Sequence, residues 1–338
     1  MRVYVGIDLH SNNCYLVILD EEGHILFEKK LSNDLSKILQ ALAPVKERTA
    51  GVVVESTFNW YWIVDGLMDE GYRVHLANTS AIKQYEGLKY TDDKSDARWL
   101  AQMLKMGILP EGFIYPKEDR PVRDLLRKRS QLVRHKTAHT LSIQNLLARN
   151  LGRRFSVQEI RKLSEAEVGD LLPSEGLAMA VKSSLSIFTC LSNEIEILER
   201  AILSQVRPIP TFSLIESIAG VGKILGLTIL LETGDVKRFV KAGNYASYCR
   251  CVGSAKISNG KRKGQGNVKN GNKYLAWAFV EAANFAIRYY PEIKRFYERK
   301  KSRTNGIVAI KAVAHKLARA AFHVMKSGTP FDIQRAFA

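Results

Sequence analysis

Four carboxylates in the first third of the sequence have positions that suit a binding site for divalent cations. Asp8 follows the apolar run Val5-Gly6-Ile7, and Glu55 follows a second apolar run. An ionised side chain at the end of an apolar strand is costly to bury unless it meets a cation. Asp93 and Asp96 are three residues apart at the start of a predicted helix, so they share one helix face. Four oxygen-donating side chains suit Mg²⁺ or Mn²⁺, and two such ions about 3.5 to 4 Å apart support phosphoryl transfer.

The acidic residues of this predicted helix also have a simpler interpretation. The helix dipole and N-terminal capping stabilise acidic residues in a first turn, so Asp93 and Asp96 alone indicate no metal site. Asp92 is a second candidate for the third carboxylate because it is adjacent to Asp93. The spacing along the helix face favours Asp93 over Asp92.

A serine in the last third of the chain lies within a segment rich in glycine and lysine. The hydroxyl of Ser258 needs a base, a metal or a strong positive potential before it can attack a phosphodiester. Nearby cations would supply that potential and hold a DNA strand by its phosphates. They are Lys256, Lys261, Arg262, Lys263, Lys269 and Lys273. The alternative is a flexible basic loop in which the serine is incidental, and the residues alone leave both interpretations open.

A second glycine-containing segment has the form of a helix-hairpin-helix turn. Gly220, Gly222 and Lys223 lie between two predicted helices. In such a turn the glycines let backbone amides and a helix N-terminus approach a DNA phosphate. A plain tight turn between two packed helices explains the same residues.

The apolar patterning predicts an α/β domain of about 110 residues, because a strand meander is followed by alternating helices and strands. Strands are predicted at 3–8, 13–19, 24–27, 51–54 and 73–77, and helices at 35–42, 60–69 and 94–106. The first three strands are expected to form an antiparallel meander.

Helical spacing of apolar residues dominates the rest of the chain. Apolar residues from Val122 to Leu147 and from Ala178 to Val206 predict two long helices that pair as an antiparallel coiled-coil arm, with Gly152 and Pro173 in the connection between them. Beyond the arm we expect a mostly α-helical domain. The predicted boundaries are therefore 1–115 for the α/β domain, 116–206 for the arm and 207–338 for the C-terminal domain.

The charge balance indicates a polyanionic partner. The chain has 51 Lys and Arg against 34 Asp and Glu, a net charge of +17. No run of apolar residues is long enough for a membrane span or a signal peptide, so we expect a cytoplasmic protein. The four cysteines lack zinc-ligand spacing and are expected to be reduced structural thiols.

Two further groups of basic residues are candidate surfaces for phosphate binding. The first lies on the arm and contains Arg123, Arg127, Lys128, Arg129 and Arg134. The second contains Lys294, Arg295, Arg299, Lys300, Lys301 and Arg303, with Phe296 and Tyr297 among them. Solvated helix faces usually explain such runs, but their number beside a DNA-acting site favours phosphate contact.

Three N-terminal motifs together resemble the RuvC-like domain of the insertion-sequence-110 family of transposases, whose relatives include the Piv/MooV DNA invertases. They are Gly6-Ile7-Asp8, Val54-Glu55-Ser56-Thr57 and Thr91-Asp92-Asp93-Lys94-Ser95-Asp96-Ala97-Arg98. The resemblance implies an RNase H-like fold for residues 1–115. It also implies that the family's D-E-D-D metal site falls on Asp8, Glu55, Asp93 and Asp96.

The same resemblance extends to the C-terminal domain, where the family has a nucleophilic serine. It implies that Ser258 is the nucleophile, and Lys269-Asn270-Gly271-Asn272-Lys273-Tyr274-Leu275 resembles the family's Lys-x-Gly-Asn-x-x-Leu signature. Two departures are visible. An extra residue, Asn259, precedes Gly260, which leaves Ser254 as a second candidate, and Ala276 replaces an arginine common among relatives.

The resemblance implies a DNA transposase or site-specific recombinase that uses Mg²⁺ or Mn²⁺. Many relatives select DNA sites with a guide RNA encoded by the element, while the invertase-like relatives leave this open. Four strands must be cut and joined, so a homodimer or homotetramer is expected. The alternatives are a metal-dependent nuclease that resolves Holliday junctions without the serine and a non-catalytic DNA-binding protein.

Overall fold

A computed structural model describes residues 1–82, 92–172, 174–205, 210–254, 256–264 and 270–337 of the 338-residue chain. The chain divides into two compact units. The N-terminal unit is Met1–Ile114 and the C-terminal unit is Tyr115–Ala338. The predicted arm and the predicted C-terminal domain both fall within the second unit.

The described part of the N-terminal unit contains one five-stranded sheet with the order β3-β2-β1-β4-β5. The strands are β1 (Val3–Leu9), β2 (Asn13–Leu19), β3 (Ile25–Ser32), β4 (Thr49–Glu55) and β5 (Val74–Ala77). β1, β2 and β3 pair antiparallel, while β4 is parallel to β1 and β5 is parallel to β4. The prediction of a mixed α/β domain that begins with a meander is therefore confirmed. β3 continues beyond the predicted 24–27 because this edge strand is largely exposed and lacks an apolar pattern.

Helices pack on both faces of this sheet, which explains why its central strands are buried along most of their length. They are α1 (Leu35–Leu42), α2 (Tyr61–Asp69) and α3 (Asp93–Lys105). Val3, Val5 and Ile7 of β1 share a core with α1 and α2. The side chains of residues 4, 6 and 8 alternate to the opposite face. On that face Ala97 and Ala101 of α3 pack against β2.

Gly6 lets α3 approach β1 closely. A Cβ atom at this position would lie 2.0 Å from the carbonyl oxygen of Ala97 and 2.8 Å from the backbone nitrogen of Ala101. Both are backbone atoms of the helix, so no rotamer change can relieve the overlap. Only glycine permits this spacing between strand and helix.

The C-terminal unit begins with a long helical hairpin. Its helices are α4 (Arg120–Leu151) and α7 (Glu175–Gln205), with the short α5 (Val157–Lys162) and α6 (Glu165–Leu171) in between. The start of α4 packs near the end of α7, and the end of α4 packs near the start of α7, so the two are antiparallel as predicted. Gly152 ends α4 in the left-handed conformation with φ +70°.

The remaining elements form a mostly helical cluster with one small hairpin. They are α8 (Phe212–Glu216), α9 (Lys223–Thr233), α10 (Ala242–Tyr248), β6 (Lys256–Ser258), β7 (Lys261–Gly264), α11 (Lys273–Tyr289), α12 (Pro291–Arg303), α13 (Gly306–Ser327) and α14 (Ile333–Phe337). The fully buried Tyr245 packs against Phe279 and Phe322 at the centre. None of the helices in the described ranges is long and apolar enough to cross a membrane.

Glu232 joins the arm to this cluster within the C-terminal unit. Its side chain is 1% exposed and accepts hydrogen bonds from Arg127 at 2.6 and 2.9 Å and from Arg123 at 3.2 Å. Asn272, the N-cap of α11, donates a further hydrogen bond at 2.7 Å. Tyr115 donates to the Glu232 backbone carbonyl at 2.8 Å. One carboxylate thus connects α4, α9 and the start of α11.

This network corrects part of the predicted phosphate-binding surface on the arm. Arg123 is 5% exposed and lies 3.5 Å from the centre of the Tyr115 ring, so it cannot reach DNA. Arg127 is paired with Glu232, and Arg129 is paired with Glu199. The prediction is wrong for Arg123, whose charge is neutralised inside the protein.

We expect Glu232→Gln to lower the free energy of unfolding by about 3 to 5 kcal/mol, because it leaves the Arg123 charge buried without a counter-ion. Burial would raise the pKa of Glu232, but the hydrogen bond from Arg127 and the charges of Arg123 and Arg127 hold it below its ordinary value. The carboxylate therefore stabilises the fold above about pH 4.5, and this contribution is lost as the pH falls through the lowered pKa.

Denaturant unfolding of the full chain, followed by circular dichroism, measures this effect. The matched control is Glu199→Gln, which breaks the more exposed pair with Arg129 and should cost about 1 kcal/mol or less. Equal losses in the two variants would contradict the assigned role of Glu232.

Candidate functional site

Two of the predicted carboxylates meet at one edge of the sheet. Ile7 of β1 is in register with Val54 of the parallel strand β4, so the next residues, Asp8 and Glu55, are neighbours. Asp8 is 3% exposed. The sheet topology therefore places both carboxylates at the carboxyl ends of adjacent parallel strands.

The start of α3 brings the other two carboxylates to the same place. Gly6 and Asp8 point to the same face of the sheet, and α3 crosses that face in contact with Gly6. Asp93 and Asp96 occupy the first turn of α3, before the contact residue Ala97. Asp8 and Asp93 both lie within 3.2 Å of His10, and the charges of Asp8, Asp93 and Asp96 all act on Glu55.

Asp92 has a different role from Asp93. It is the N-cap of α3, and its side chain accepts a hydrogen bond from the backbone of Ser95 at 2.8 Å in a capping box. The hydrogen bonds from Ser95 lower the pKa of Asp92. Asp93 instead directs Oδ2 to within 3.2 Å of the Nε2 atom of His10. This geometry favours Asp93 over Asp92 as the third carboxylate.

His10 is part of the cluster and was missed by the sequence analysis. Its Nε2 atom lies 3.1 Å from Oδ2 of Asp8 and 3.2 Å from Oδ2 of Asp93. His10 follows Asp8 by two residues and lies directly after the end of β1. This spacing was the available signal, but a single histidine after a strand carries little information without the position of α3.

Burial and repulsion among the carboxylates raise the pKa of two of them. Burial, a hydrogen bond with Asp8 and the charges of Asp8, Asp96 and Asp93 raise the pKa of Glu55 to about 8. Burial and the charges of Asp8 and Asp93 also raise the pKa of Asp96. The cluster therefore carries more negative charge than the surrounding protein neutralises, and a bound cation would relieve it.

The donor atoms fit a divalent metal ion. Single ligand atoms of Asp8, His10 and Asp93 lie within 4.8 Å of one another. Oδ2 of Asp8 and Nε2 of His10 are buried and, within the described part of the chain, form no hydrogen bond despite their 3.1 Å separation. Carboxylate oxygens with one imidazole nitrogen form a donor set that suits Mn²⁺ and, through the oxygens, Mg²⁺.

A second acidic group in this unit has a structural explanation. Asp20, Glu22 and His24 also lie close together. The Asp20 carboxylate accepts hydrogen bonds from the backbone of Gly23 at 2.7 Å and of His24 at 2.8 Å. These bonds close the turn between β2 and β3, so we assign no metal to this group.

Ser258 lies at the tip of the small hairpin in the C-terminal unit. It is the last residue of β6, pairs with Lys261 of β7 and is exposed. Asn259 and Gly260 form the two-residue turn with φ +50° and +69°. Asn-Gly is a preferred sequence for such a turn, because both residues tolerate positive φ. The turn thus explains the Asn259 departure from the family pattern.

The cations predicted around Ser258 are described only in part. Lys261, Lys263 and Lys273 are exposed, so their ammonium groups can reach a ligand. The side chains of Lys256 and Arg262, and the whole of Lys269, lie outside the described residues. Ser254, the second serine candidate, is half-buried upstream of β6.

The predicted helix-hairpin-helix turn is present, but packing explains its first glycine. Gly220 has φ +79°, and a Cβ atom there would lie 2.1 Å from the carbonyl oxygen of Ala282 in α11. Gly222 is the N-cap of α9, and its neighbour Lys223 is exposed. Contact of this turn with a DNA phosphate stays a prediction.

A mixed α/β unit with clustered carboxylates, followed by a helical unit with an exposed serine hairpin, indicates an enzyme that processes nucleic acid. Residues 5–150 match a family model described as a DEDD transposase of IS110 elements. Residues 212–298 match the model of the transposase IS116/IS110/IS902 family. The chain belongs to the IS110 family of transposases, so its activity is DNA transposition.

Three known transposases are similar to this chain along most of its length. It is 24% identical over 297 residues to the transposase for insertion sequence element IS1111A of Coxiella burnetii, which covers 84% of this chain and 78% of the relative. It is 22% identical over 336 residues to the transposase for IS1328 of Yersinia enterocolitica, which covers 97% and 98%. A probable family 20 transposase of Pseudomonas aeruginosa is 23% identical, with 84% of each chain covered.

We expect Gly6→Ala to weaken binding of Mn²⁺ at least about tenfold and to destabilise the N-terminal unit by about 1 to 3 kcal/mol. The new methyl group would displace α3, which carries Asp93 and Asp96. Isothermal calorimetry with the full chain measures the affinity. Gly112→Ala is the control, because its Cβ would be 3.5 Å from the nearest atom. Unchanged Mn²⁺ affinity in Gly6→Ala would contradict the role of this contact.

Proposed function

We propose that the chain catalyses DNA strand cleavage and exchange with a composite active site, in which a divalent metal centre and the Ser258 hydroxyl act on one phosphate. The observation that carries this proposal is the close approach of Asp8 and Asp93 to His10, with Glu55 and Asp96 near enough for the carboxylate charges to act on one another. Their mutual repulsion has no structural benefit, so the cluster is best explained by a cation that the reaction requires.

The N-terminal unit has the RNase H-like fold that the family resemblance implies. Support comes from the antiparallel meander extended by two parallel strands, with Asp8 and Glu55 at the ends of β1 and β4. The four carboxylates and His10 would hold the metal. Bound Mg²⁺ or Mn²⁺ would supply positive charge next to the reacting phosphate. The chain's own contribution is the fixed spacing of these ligands by β1, β4 and α3.

Ser258 acts as the nucleophile in this proposal. Its Oγ loses its proton and forms a bond to phosphorus, one phosphorus–oxygen bond to a deoxyribose breaks, and the released deoxyribose oxygen takes up a proton to become a hydroxyl. A deoxyribose hydroxyl of another strand then reverses the step and frees the serine, so the phosphodiester energy is conserved. The exposed hairpin tip and the neighbouring Lys261 and Lys263 support this role, because they give a phosphate access to a positive surface.

The proposal includes a homodimer or homotetramer and a guide RNA encoded by the element. The need to cut and join four strands supports the first, and the family resemblance supports the second. Sequencing of nucleic acid that co-purifies with the chain tests the RNA, and light scattering measures the subunit number.

We expect Ser258→Ala and Asp8→Asn each to reduce strand exchange by about 10³-fold or more, because each removes a group that acts in the chemical step. Strand exchange and the covalent protein–DNA adduct are measured on the same DNA with Mg²⁺. Ser254→Ala is the control and should keep both. Cleavage that survives Ser258→Ala would favour a nuclease that uses water, and DNA binding without any breakage would favour a non-catalytic protein.

We expect His10→Ala to weaken binding of Mn²⁺ by about 10- to 100-fold and binding of Mg²⁺ less, since imidazole nitrogen favours the softer ion. Calorimetry on the full chain gives both affinities without a DNA substrate. His24→Ala, which removes the histidine paired with Asp20, is the matched control. Equal affinities in the wild type and His10→Ala would show that the ring is not a ligand.

A further inference from the structure

A cleft in the last part of the C-terminal unit has no role in the proposed reaction. It lies between α12, α13 and the segment that leads into α14, and its volume is about 690 Å³. Most of its lining follows residue 298, where the match to the second family model ends. The cleft has the size of sites that hold small molecules or single groups of larger ligands.

The lining of this cleft is strongly basic. His315, Arg319 and His323 follow one another at intervals of four along α13, so they share one helix face. Lys300 of α12 and Arg335 of α14 add charge from the other walls. The cations therefore come from three helices and converge on one space.

One carboxylate faces these cations among the described residues that line the cleft. It belongs to Asp332, and it accepts hydrogen bonds from the backbone of Gln334 at 2.9 Å and Arg335 at 3.1 Å at the start of α14. Arg319 is exposed and forms no ion pair within the described ranges. The positive side chains of the described lining therefore outnumber its negative ones.

The pKa values of two basic side chains in the lining are lowered, which agrees with this excess of positive charge. Burial lowers the pKa of His315, and the charges of Arg319 and Lys316 lower it further. Burial and the charges of Arg319 and Arg299 lower the pKa of Lys316, whose ammonium group donates to the carbonyl of Ala336 at 2.7 Å. A bound anion would relieve this repulsion.

Aromatic side chains form part of the walls. Phe296 and Phe331 are half-buried and line the cleft. Phe296 packs edge-on against Phe337 at 5.5 Å between ring centres, and the backbone of Phe331 donates to Ser217 at 2.9 Å. The first contact holds the Phe296 ring, and the second holds the backbone that carries Phe331. Cations beside fixed aromatic surfaces are the combination that binds unpaired nucleotides.

The cleft continues into a second, open groove, which favours a polymer over a free nucleotide. Arg319 and His323 line both spaces. The second groove has a volume of about 790 Å³ and is bordered by Lys241, Asn244 and Lys326. A chain with regularly spaced phosphates can occupy both grooves across Arg319. A duplex keeps its bases covered and cannot place one inside the cleft.

We propose that this cleft binds one unpaired nucleotide of a single-stranded nucleic acid, with a phosphate at Arg319 and Lys300 and the base against Phe296 and Phe331. The strand continues along the groove beside Lys241 and Lys326. This site is independent of the carboxylates and of Ser258, so its binding needs no divalent metal.

The test is binding of fluorescent oligo(dT), oligo(U) and duplex DNA to the full chain in EDTA over a range of salt concentrations. We expect Arg319→Ala to lower the affinity for both single strands about tenfold and to reduce the slope of log affinity against log salt by about 0.7. Arg288→Ala is the matched control, because it removes an exposed arginine of α11 that lines neither groove. Thermal melting checks that both variants are folded.

Each outcome decides the proposal. A loss of single-strand affinity in Arg319→Ala but not in Arg288→Ala supports it. If oligo(dT) binds more tightly than oligo(U), the ligand is DNA, and the reverse order indicates RNA. Equal affinities and salt slopes for the two variants would overturn it, as would an equal loss for duplex DNA. Oligonucleotides with 5-iodouracil give a second measurement, since crosslinks should map to Phe296 or Phe331. Because strand exchange is not measured, failure here leaves the proposed reaction untouched.

Discussion

The contact between α3 and Gly6 is the constraint on which the N-terminal unit depends, because it holds like charges together against their repulsion. Backbone pairing of β1 with β4 brings Asp8 and Glu55 together. The hydrogen bonds along the two strands outweigh the repulsion between these two side chains. Asp93 and Asp96 are held there only by the helix. The small residues on both sides of that contact bury the helix against the sheet and offset the repulsion. The resulting cluster is stable only to the extent that the packing exceeds its electrostatic cost.

The sequence predicts the part of this site that follows from local pattern. Apolar runs define β1 and β4, and the carboxyl ends of parallel strands meet at one edge, so Asp8 and Glu55 were found from the sequence. His10 was not, because its role depends on where α3 begins relative to the sheet. The length of β3 was underestimated for a similar reason: an exposed edge strand is held by backbone hydrogen bonds, which leave no apolar pattern.

Charge alone misassigned part of the arm. Arg123 belongs to a run of basic residues that predicts a phosphate-binding surface, yet its partner Glu232 is 109 residues away in the chain. Pairs that are distant in sequence are invisible to a count of charges, so a basic run predicts a surface only where tertiary partners are absent. Arg319 shows the opposite case. His315 precedes it by one helical turn, but only the fold adds Lys300 and Arg335 from other helices.

The two kinds of basic site differ in what a bound phosphate would change. At Glu232 the protein already supplies the counter-charge, so the network is complete and its function is to hold the arm on the helical cluster. Around Arg319 the cations of the described lining outnumber its one carboxylate, and the fold keeps them close together at an energetic cost. The carboxylate cluster of the N-terminal unit has the same property with the opposite sign. Unneutralised charge that packing holds in place therefore distinguishes the two proposed ligand sites from the ion pairs that stabilise the fold.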